Sequence, residues 1–488
     1  MTFAPDTRAP GVVQQVILER DGGLADLPRR VALVGYRSTA AGAALDNMPT
    51  VIDSRAQGQS LFGAGSQLDL MIRSAFQTGN LARRAIPAGG NPEIIAVALP
   101  PPAGVQAEYT ITYSGAATAQ GSITVEVNEQ TFSFTVLSTD GVNEVASSTN
   151  DGLALLAPEL PLTASAALGV VTLVVRENGE YGNDIYLAVD DSGAPGITAT
   201  IAQSVTGSGV SAVVTALAAL QDEQFIGVYV VGQDDTTTRA AVLADVQDSW
   251  TFGTDRPRHA IFPIVGDASD AETETALIDD YRIIVSVGEK FLGVGQPYSP
   301  ASSRSMAANL GAGLGSRLYS RSRPNANYNR ARIDGLARDF AVTRQELDDA
   351  INGGVTMLVN GENTGAEIVR AVTSAVTDQT PGGSAPDKRW QPFEITRVIQ
   401  EIWWQTRALL DVFASRDRTD RTRAEAKAAA LGLLRSAARE GWISEVTNES
   451  AIVTIEVSGG ATQLVVDYSY SVITNTDVAA VTHRVRRA

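Results

Sequence analysis

The sequence contains no cysteine, two histidines and, against 35 arginines, three lysines; aromatic residues make up 6% of its 488 positions. Without cysteine, disulfides and thiolate metal sites are excluded. That suits a reducing cytoplasm, and equally a body that must persist outside a cell without redox chemistry. His259 opens an apolar run and His483 lies near the carboxy terminus, so each reads as structural rather than catalytic. No apolar run approaches the roughly 18 residues needed to span a bilayer, and Met1 to Gly11 lacks the apolar stretch of a secretory signal. A soluble chain without membrane insertion is expected. No Gly-x-Ser-x-Gly or P-loop pattern occurs.

The residual signals for chemistry have plainer readings. Gly311-Ala312-Gly313-Leu314-Gly315 would cradle phosphate only with a strand before it and a helix opening at it. A helix-like run, Ser302 to Leu310, precedes it instead, so close helix packing is expected. Asp190-Asp191 and Asp234-Asp235 resemble metal ligands or paired acids, but such doublets cap helices and decorate turns. Asp235 stands where the next helix needs a cap. No catalytic residue, metal or cofactor is expected.

Acid is in excess, with a formal net charge of -17, and it is unevenly spread. Between Pro101 and Val205 stand twelve acidic residues and one basic residue, Arg176, a net of -11. From Arg304 to Arg344 eight arginines face two aspartates; this is either a contact surface built on guanidinium forks or a solvated face in an arginine-biased chain. The acidic total and the lack of a reading motif argue against nucleic-acid binding.

At this length two to four domains are expected. Val31 to Tyr36 and Glu93 to Leu99 are continuous apolar strands, with a helix from about Ser66 to Gln77 between them. Pro100-Pro101-Pro102 ends that pattern. From Ala107 to Ala202 the period changes to two, as in Ile123, Val125 and Val127, which reads as an inserted all-β domain. Helix and strand then alternate again: Val210 to Leu220, Phe225 to Val231, Thr237 to Trp250, Ala260 to Val265, Glu272 to Ile278 and Arg282 to Val287. Alternation on both sides of the insertion predicts one α/β core that resumes where it stopped.

The most specific stretch runs from Thr343 to Phe413. Thr343 and Glu346 form a capping box, and the helix they start stops at Gly353-Gly354. Val355 to Val359 and Ile368 to Val376 then read as a hairpin. Pro392 opens a long helix with an apolar stripe of Ile395, Val398, Ile399, Ile402, Leu409 and Phe413. Farther on, Thr422 and Glu425 suggest a second capping box, for a helix ended by Gly441. Ala451 to Val457 and Gln463 to Val472 read as a hairpin with Leu464, Val466, Tyr468, Tyr470 and Val472 on one face. Val478 to Val485 is one more strand, with no partner nearby in sequence.

The order of these parts resembles the core of contractile tail sheath proteins, in particular the Mu-like phage sheath family. The matching residues are Leu347, Gly353, Gly354, Ile368-Val369-Arg370-Ala371-Val372-Thr373 and Trp390, preceded by Arg176-Glu177-Asn178-Gly179-Glu180-Tyr181-Gly182-Asn183-Asp184-Ile185 and by Pro10-Gly11-Val12. The resemblance implies a structural subunit that polymerises as stacked hexameric rings around an inner tail tube. It implies contraction that drives the tube through a host envelope during genome delivery, powered by the metastable lattice without nucleotide hydrolysis. Its partners would be itself, the tube protein, and the baseplate and tail terminator proteins. Its place would be the tail sheath of a virion, assembled in the host cytoplasm. Two other readings stay open: a nucleotide-dependent α/β enzyme on the same core, and the sheath of a tailocin or secretion-type injection device.

The expected division is an amino-terminal arm (1–30), a core in two parts (31–100 and 206–385), an outward-facing, β-rich insertion (101–205), a helix-plus-hairpin domain on the inner side of the sheath (386–474) and a carboxy-terminal arm (475–488). The arms would link subunits by strand addition through Val12, Val13, Val16, Ile17 and Leu18 at one end and Val478, Val481, His483 and Val485 at the other. On the long helix, which carries Trp403 and Trp404 after Trp390, Arg407 and Asp411 are the residues expected to face the tube.

Overall fold

The structure is a computed structural model. It describes residues 24, 27–38, 42–85, 92–128, 130–251, 254, 256–265, 267–288, 307–320, 323–333, 343–360, 366–379, 384–413, 416–417, 419–444, 446–458, 461–473 and 478–487. The amino-terminal arm residues Val12 to Leu18, and Arg304, Arg321 and Arg338, lie outside the described residues.

In chain order, β1 (Arg30–Tyr36), β2 (Thr50–Ile52), α1 (Arg55–Phe62), α2 (Gln67–Ala85) and β3 (Glu93–Leu99) come first. Strands β1 and β3 fall where continuous apolar runs predict them, because strands buried on both faces need no alternation. After the insertion follow α4 (Val214–Leu220), β11 (Ile226–Val231), α5 (Thr236–Ser249), β12 (His259–Val265), α6 (Ala268–Ile278), β13 (Ile283–Gly288) and α7 (Ala307–Tyr319). Later come β14 (Ala331–Ile333), α8 (Arg344–Asn352), β15 (Val355–Thr356), β16 (Leu358–Asn360) and β17 (Ala366–Ile368). One sheet unites both parts of the core in the order β15-β13-β12-β11-β1-β3-β2, parallel except for β2. β1 therefore pairs with β3, which precedes the insertion, and with β11, which follows it. Apolar side chains form two clusters, with Ala32 and Val34 of β1 in one and Val31 and Leu33 in the other. This is the alternation of a strand buried on both faces.

The glycine run lies inside α7 rather than after a helix. A Cβ on Gly311 or on Gly315 would stand 3.1 Å from Val230, so small residues let the helix rest directly on β11. Asp235 caps α5 by accepting from the Thr238 amide at 2.9 Å. Thr343 and Glu346 form their capping box at α8. The hairpin after it is shorter than expected. β15 joins the large sheet beside β13, and β17 pairs with β16 on one side and β14 on the other. Thr356 Oγ1 bonds both the amide and the carbonyl of Val372, which holds the returning chain as a loop.

The insertion comprises β4 (Glu108–Gly115), β5 (Gly121–Val127), β6 (Gln130–Val136), α3 (Val142–Leu156), β7 (Leu162–Ala167), β8 (Val170–Val175), β9 (Leu187–Asp190) and β10 (Ile197–Val205). Its sheets run β10-β4-β8-β7 and β6-β5-β9. Helix α3 corrects the all-β expectation. Val145, Ala146, Thr149 and Leu153 bury one face of it, and Thr149 Oγ1 meets the Tyr113 hydroxyl at 2.8 Å. Serine and asparagine on its other face, with Thr149 on the buried one, mask the helical period in the sequence.

The last part contains α9 (Phe393–Asp411), α10 (Asp420–Arg439), β18 (Ala451–Ser458), β19 (Ala461–Ile473) and β20 (Val478–Arg487). Helix α10 starts three residues earlier than expected. Its cap is Thr419, whose hydroxyl accepts from the Thr422 amide, while Glu425 pairs with Arg416 and Arg421. Gly441, at φ 73°, ends the helix in the left-handed conformation that glycine tolerates.

Candidate assembly surfaces

Doubly wound sheets bind ligands in the crevice where strand order reverses, here between the carboxyl ends of β1 and β11. The chain fills that crevice itself. Gln67, 1% exposed, accepts from the Tyr36 amide at 3.0 Å and donates to the Gly232 carbonyl at 2.7 Å, bridging the two strand ends. The 3-10 turn Glu180–Asp184 of the insertion lies over it, with Tyr181 tilted against Tyr36 at 5.5 Å between ring centroids. The space that remains is about 20 Å³, with Glu180, Asp184, Asp234 and Asp235 around it. A phosphate would meet carboxylates there, and no room. Among the described residues no group of histidines and acids is placed to hold a metal ion. Asp190 and Asp191 accept from the Ser192 and Ala199 amides, which makes them turn residues.

His259 is fully buried. Its ring nitrogens lie 2.8 Å from the Tyr319 hydroxyl and 3.1 Å from Thr396 Oγ1. Burial, then the nearby Arg397 cation, push its pKa down to about 3, so the ring is neutral at ordinary pH. Gln400 Nε2 donates to the Gly227 and Pro257 carbonyls, both at 2.9 Å, and the Tyr319 hydroxyl donates to Gly227 at 2.7 Å. Arg397, with no exposed surface, pairs with Glu401 at 3.0 Å and lies over the Tyr319 and Trp404 rings. Trp250 meets His259, Tyr281 and Trp403 edge-on. The chain's few aromatics thus gather where α9 meets the core sheet, and this polar and aromatic seam joins the two.

The far side of α9 packs on the last sheet, ordered β18-β19-β20. Leu464, Val466, Tyr468, Tyr470 and Val472 are all buried there, as their alternation predicts. β20 corrects the expectation of a strand with no partner nearby in sequence. It pairs antiparallel with β19 through all ten residues, setting Val478 opposite Ile473, Val481 opposite Tyr470, His483 opposite Tyr468 and Val485 opposite Val466. The pairing was missed because the turn between the strands has no hairpin signature.

This arrangement has known counterparts. The chain is similar to a sheath tail protein from Desulfitobacterium hafniense, with a TM-score of 0.53 at 12% identity over 94% of this chain and 97% of that one. It is equally similar to a sheath tail protein from Listeria innocua, with a TM-score of 0.53 at 13% identity over 98% of each. The chain has the tail-sheath fold. Neither a protein-family model nor a curated sequence matches it.

On this tail-sheath fold the long helix is not the open surface its sequence suggests. From Phe393 to Thr406 every residue of α9 is buried, Trp403 and Trp404 among them. Arg407 is half-buried and donates to the Thr254 carbonyl at 3.4 Å; Asp411, in the last turn, is exposed. The open helix is α10, with Arg421, Arg423, Arg435 and Arg439 exposed. The arginine-rich stretch does not form one face. Arg317 is buried, and Arg323 donates to the Glu440 carbonyl beside α10.

Proposed function

We propose that the chain is the structural subunit of a contractile tail sheath, polymerising helically around an inner tube and contracting to drive that tube through an envelope. The observation that carries this reading is the tail-sheath fold over nearly the whole chain, combined with a switch-point crevice filled by Gln67. The filled crevice speaks against the nucleotide-dependent enzyme, because it is the place where such a core would hold its ligand. The five-part division of arm, core, outward insertion, inner helix-plus-sheet domain and second arm belongs to the same proposal. So do the hexameric rings, the tube, baseplate and terminator partners, the virion location and assembly in the host cytoplasm. The matches to Arg176–Ile185 and Ile368–Thr373 favour a phage tail over a tailocin or secretion-type device.

Within this reading the arms link subunits. Val12 to Leu18 of one copy and the β20 strand with Val478, Val481, His483 and Val485 add to the sheet of a neighbour, a heterologous contact that propagates into open helices. The tube-facing surface shifts from α9 to α10. Buried α9 offers only its last turn, whereas α10 carries Arg421, Arg423, Lys427, Arg435 and Arg439 against Asp420 and Glu425. Negative-stain imaging of the purified chain, alone and with tube protein, tests the proposal. Striated tubes are expected; a dispersed monomer that binds nucleotide by calorimetry would replace it with the enzyme reading.

A further inference from the structure

The insertion leaves and re-enters the core through two linkers that run side by side. Ser208 donates to the Val105 carbonyl at 3.1 Å, Glu180 to the Gly209 carbonyl at 3.2 Å, and Asn183 Nδ2 to the Gly207 carbonyl at 3.0 Å. Two adjacent segments passing out and back make a hinge: they fix where the insertion is attached, and leave its angle to other contacts. Besides the Tyr181–Tyr36 contact over the switch point, a further contact lies in the 3-10 turn Ala157–Glu159 that follows α3. Glu159 places one carboxylate oxygen between two core guanidinium groups, Arg55 at the start of α1 and Arg73 of α2, the latter at 3.0 Å and 4% exposed. Asp69, fully buried, stands 4.0 Å from Arg55 and accepts the Gly65 amide at 2.8 Å. The main chains touch as well. Gly65, at φ +76°, lies so close that a Cβ there would be 2.2 Å from the Leu160 carbonyl oxygen. Arg176 of the insertion holds the same turn from behind, donating to the Leu160 and Ala157 carbonyls at 3.1 and 2.9 Å.

We infer that Glu159 is a positioning residue, an ionic clasp that fixes the angle between the insertion and the core so that the two move as one body. Arg55 and Arg73 lie on neighbouring helices of the core, and the carboxylate that joins them comes from the insertion. Replacing the insertion by a linker removes Glu159, the carboxylate that Arg55 and Arg73 share. The inference concerns the single chain and stands apart from the sheath reading. In a sheath subunit, which rests on that reading, the consequence is that any rotation of the core is delivered undiminished to the insertion.

The absence of cysteine makes the test direct, because spin labels attach only where cysteine is introduced. A cross pair, Ser147→Cys on α3 with Thr237→Cys on α5, spans the joint at two exposed positions; a control pair, Ser147→Cys with Ser165→Cys, lies within the insertion. In the parent chain, double electron–electron resonance should give narrow distance distributions for both pairs. Glu159→Ala should broaden the cross pair at least twofold and leave the control unchanged, with Glu159→Gln in between because it keeps the hydrogen bonds and loses the charge. A cross pair that stays narrow in Glu159→Ala overturns the clasp. If Glu159→Ala broadens the control pair too, Arg55→Ala decides from the core side: broadening of the cross pair alone supports the clasp, and an unchanged cross pair overturns it.

Discussion

The core meets its neighbours through two joints built on different physics. Toward the insertion, a partly exposed carboxylate is shared by Arg55 and Arg73 beside a pair of linkers. Toward α9, a fully buried seam of His259, Tyr319, Gln400 and Arg397 is closed by aromatic rings. Removing one partner of a buried, hydrogen-bonded charge leaves the other without solvent, whereas a half-exposed pair regains water when it parts. The first joint therefore contributes little to global stability while it sets an angle, and the second opens only with unfolding. Most of the chain's stability against disruption is expected at α9, and the orientation of the insertion is expected to depend on the clasp.

The largest effect should come from Arg397→Ala, which leaves Glu401 buried without its cation and removes the group lying over Tyr319 and Trp404. A loss of about 3–5 kcal/mol by chemical denaturation is expected. A loss below that of Glu159→Ala would invert the comparison.

Acidification should separate the joints next. His259 has a folded-state pKa of about 3 against an ordinary 6.5, so below pH 6.5 the unfolded chain binds a proton that the folded chain refuses, and stability falls as pH falls. From pH 6.5 to 4.5 the loss is about 2–3 kcal/mol at about 1.4 kcal/mol per unit. Glu177 has the opposite sign. Burial, offset in part by the Tyr181 hydrogen bond and the Arg176 charge, raises its pKa to about 7 from 4.5, so the folded state keeps a proton the unfolded state gives up, and stability falls as pH rises through that window. The two terms nearly cancel over this window, so denaturation at pH 4.5, 5.5 and 6.5 should show little slope in the parent chain, a rise with pH in Glu177→Gln and a fall with pH in His259→Gln.

Gly227→Ala should cost about 1–3 kcal/mol by overpacking, since its Cβ would fall 2.0 Å from the Tyr319 ring. Gly432→Ala, where nothing lies within 4 Å of the new Cβ, serves as its neutral or stabilising counterpart in the same assay. The smallest effect should be that of Glu159→Ala, about 1 kcal/mol or less on global stability. Its signature is faster amide exchange at residues 63–66 and 157–160 without change at Gly227 or Gln400.

The parts of this fold that were legible in the sequence are those decided locally. Val31 to Tyr36 and Glu93 to Leu99 announce parallel strands because burial on both faces leaves an unbroken apolar run. Thr343 with Glu346, and Asp235, announce helix starts because a cap is made within four residues. What stayed hidden depends on partners far along the chain. Arg397 sits on a helix whose charged residues read as its solvent face, and the Glu401 carboxylate with the rings of Tyr319 and Trp404 makes a buried guanidinium possible there. Gln67 gives no sign that it will plug the ends of β1 and β11. The clasp was invisible for the same reason: Glu159 counted toward an acidic surface, while its charge is spent on Arg55 and Arg73.

The pairing of β20 with β19 has a kinetic consequence. A strand that already makes ten residue pairs within its own chain gains no new backbone bonds by making the same pairs with the β19 of another copy; exchange between chains is close to neutral in bonding. What separates a closed single chain from an exchanged one is then the barrier to unzipping β20, together with the local concentration of acceptors. Any such exchange would start slowly, with a lag that shortens when preformed ends are supplied, and would persist once begun.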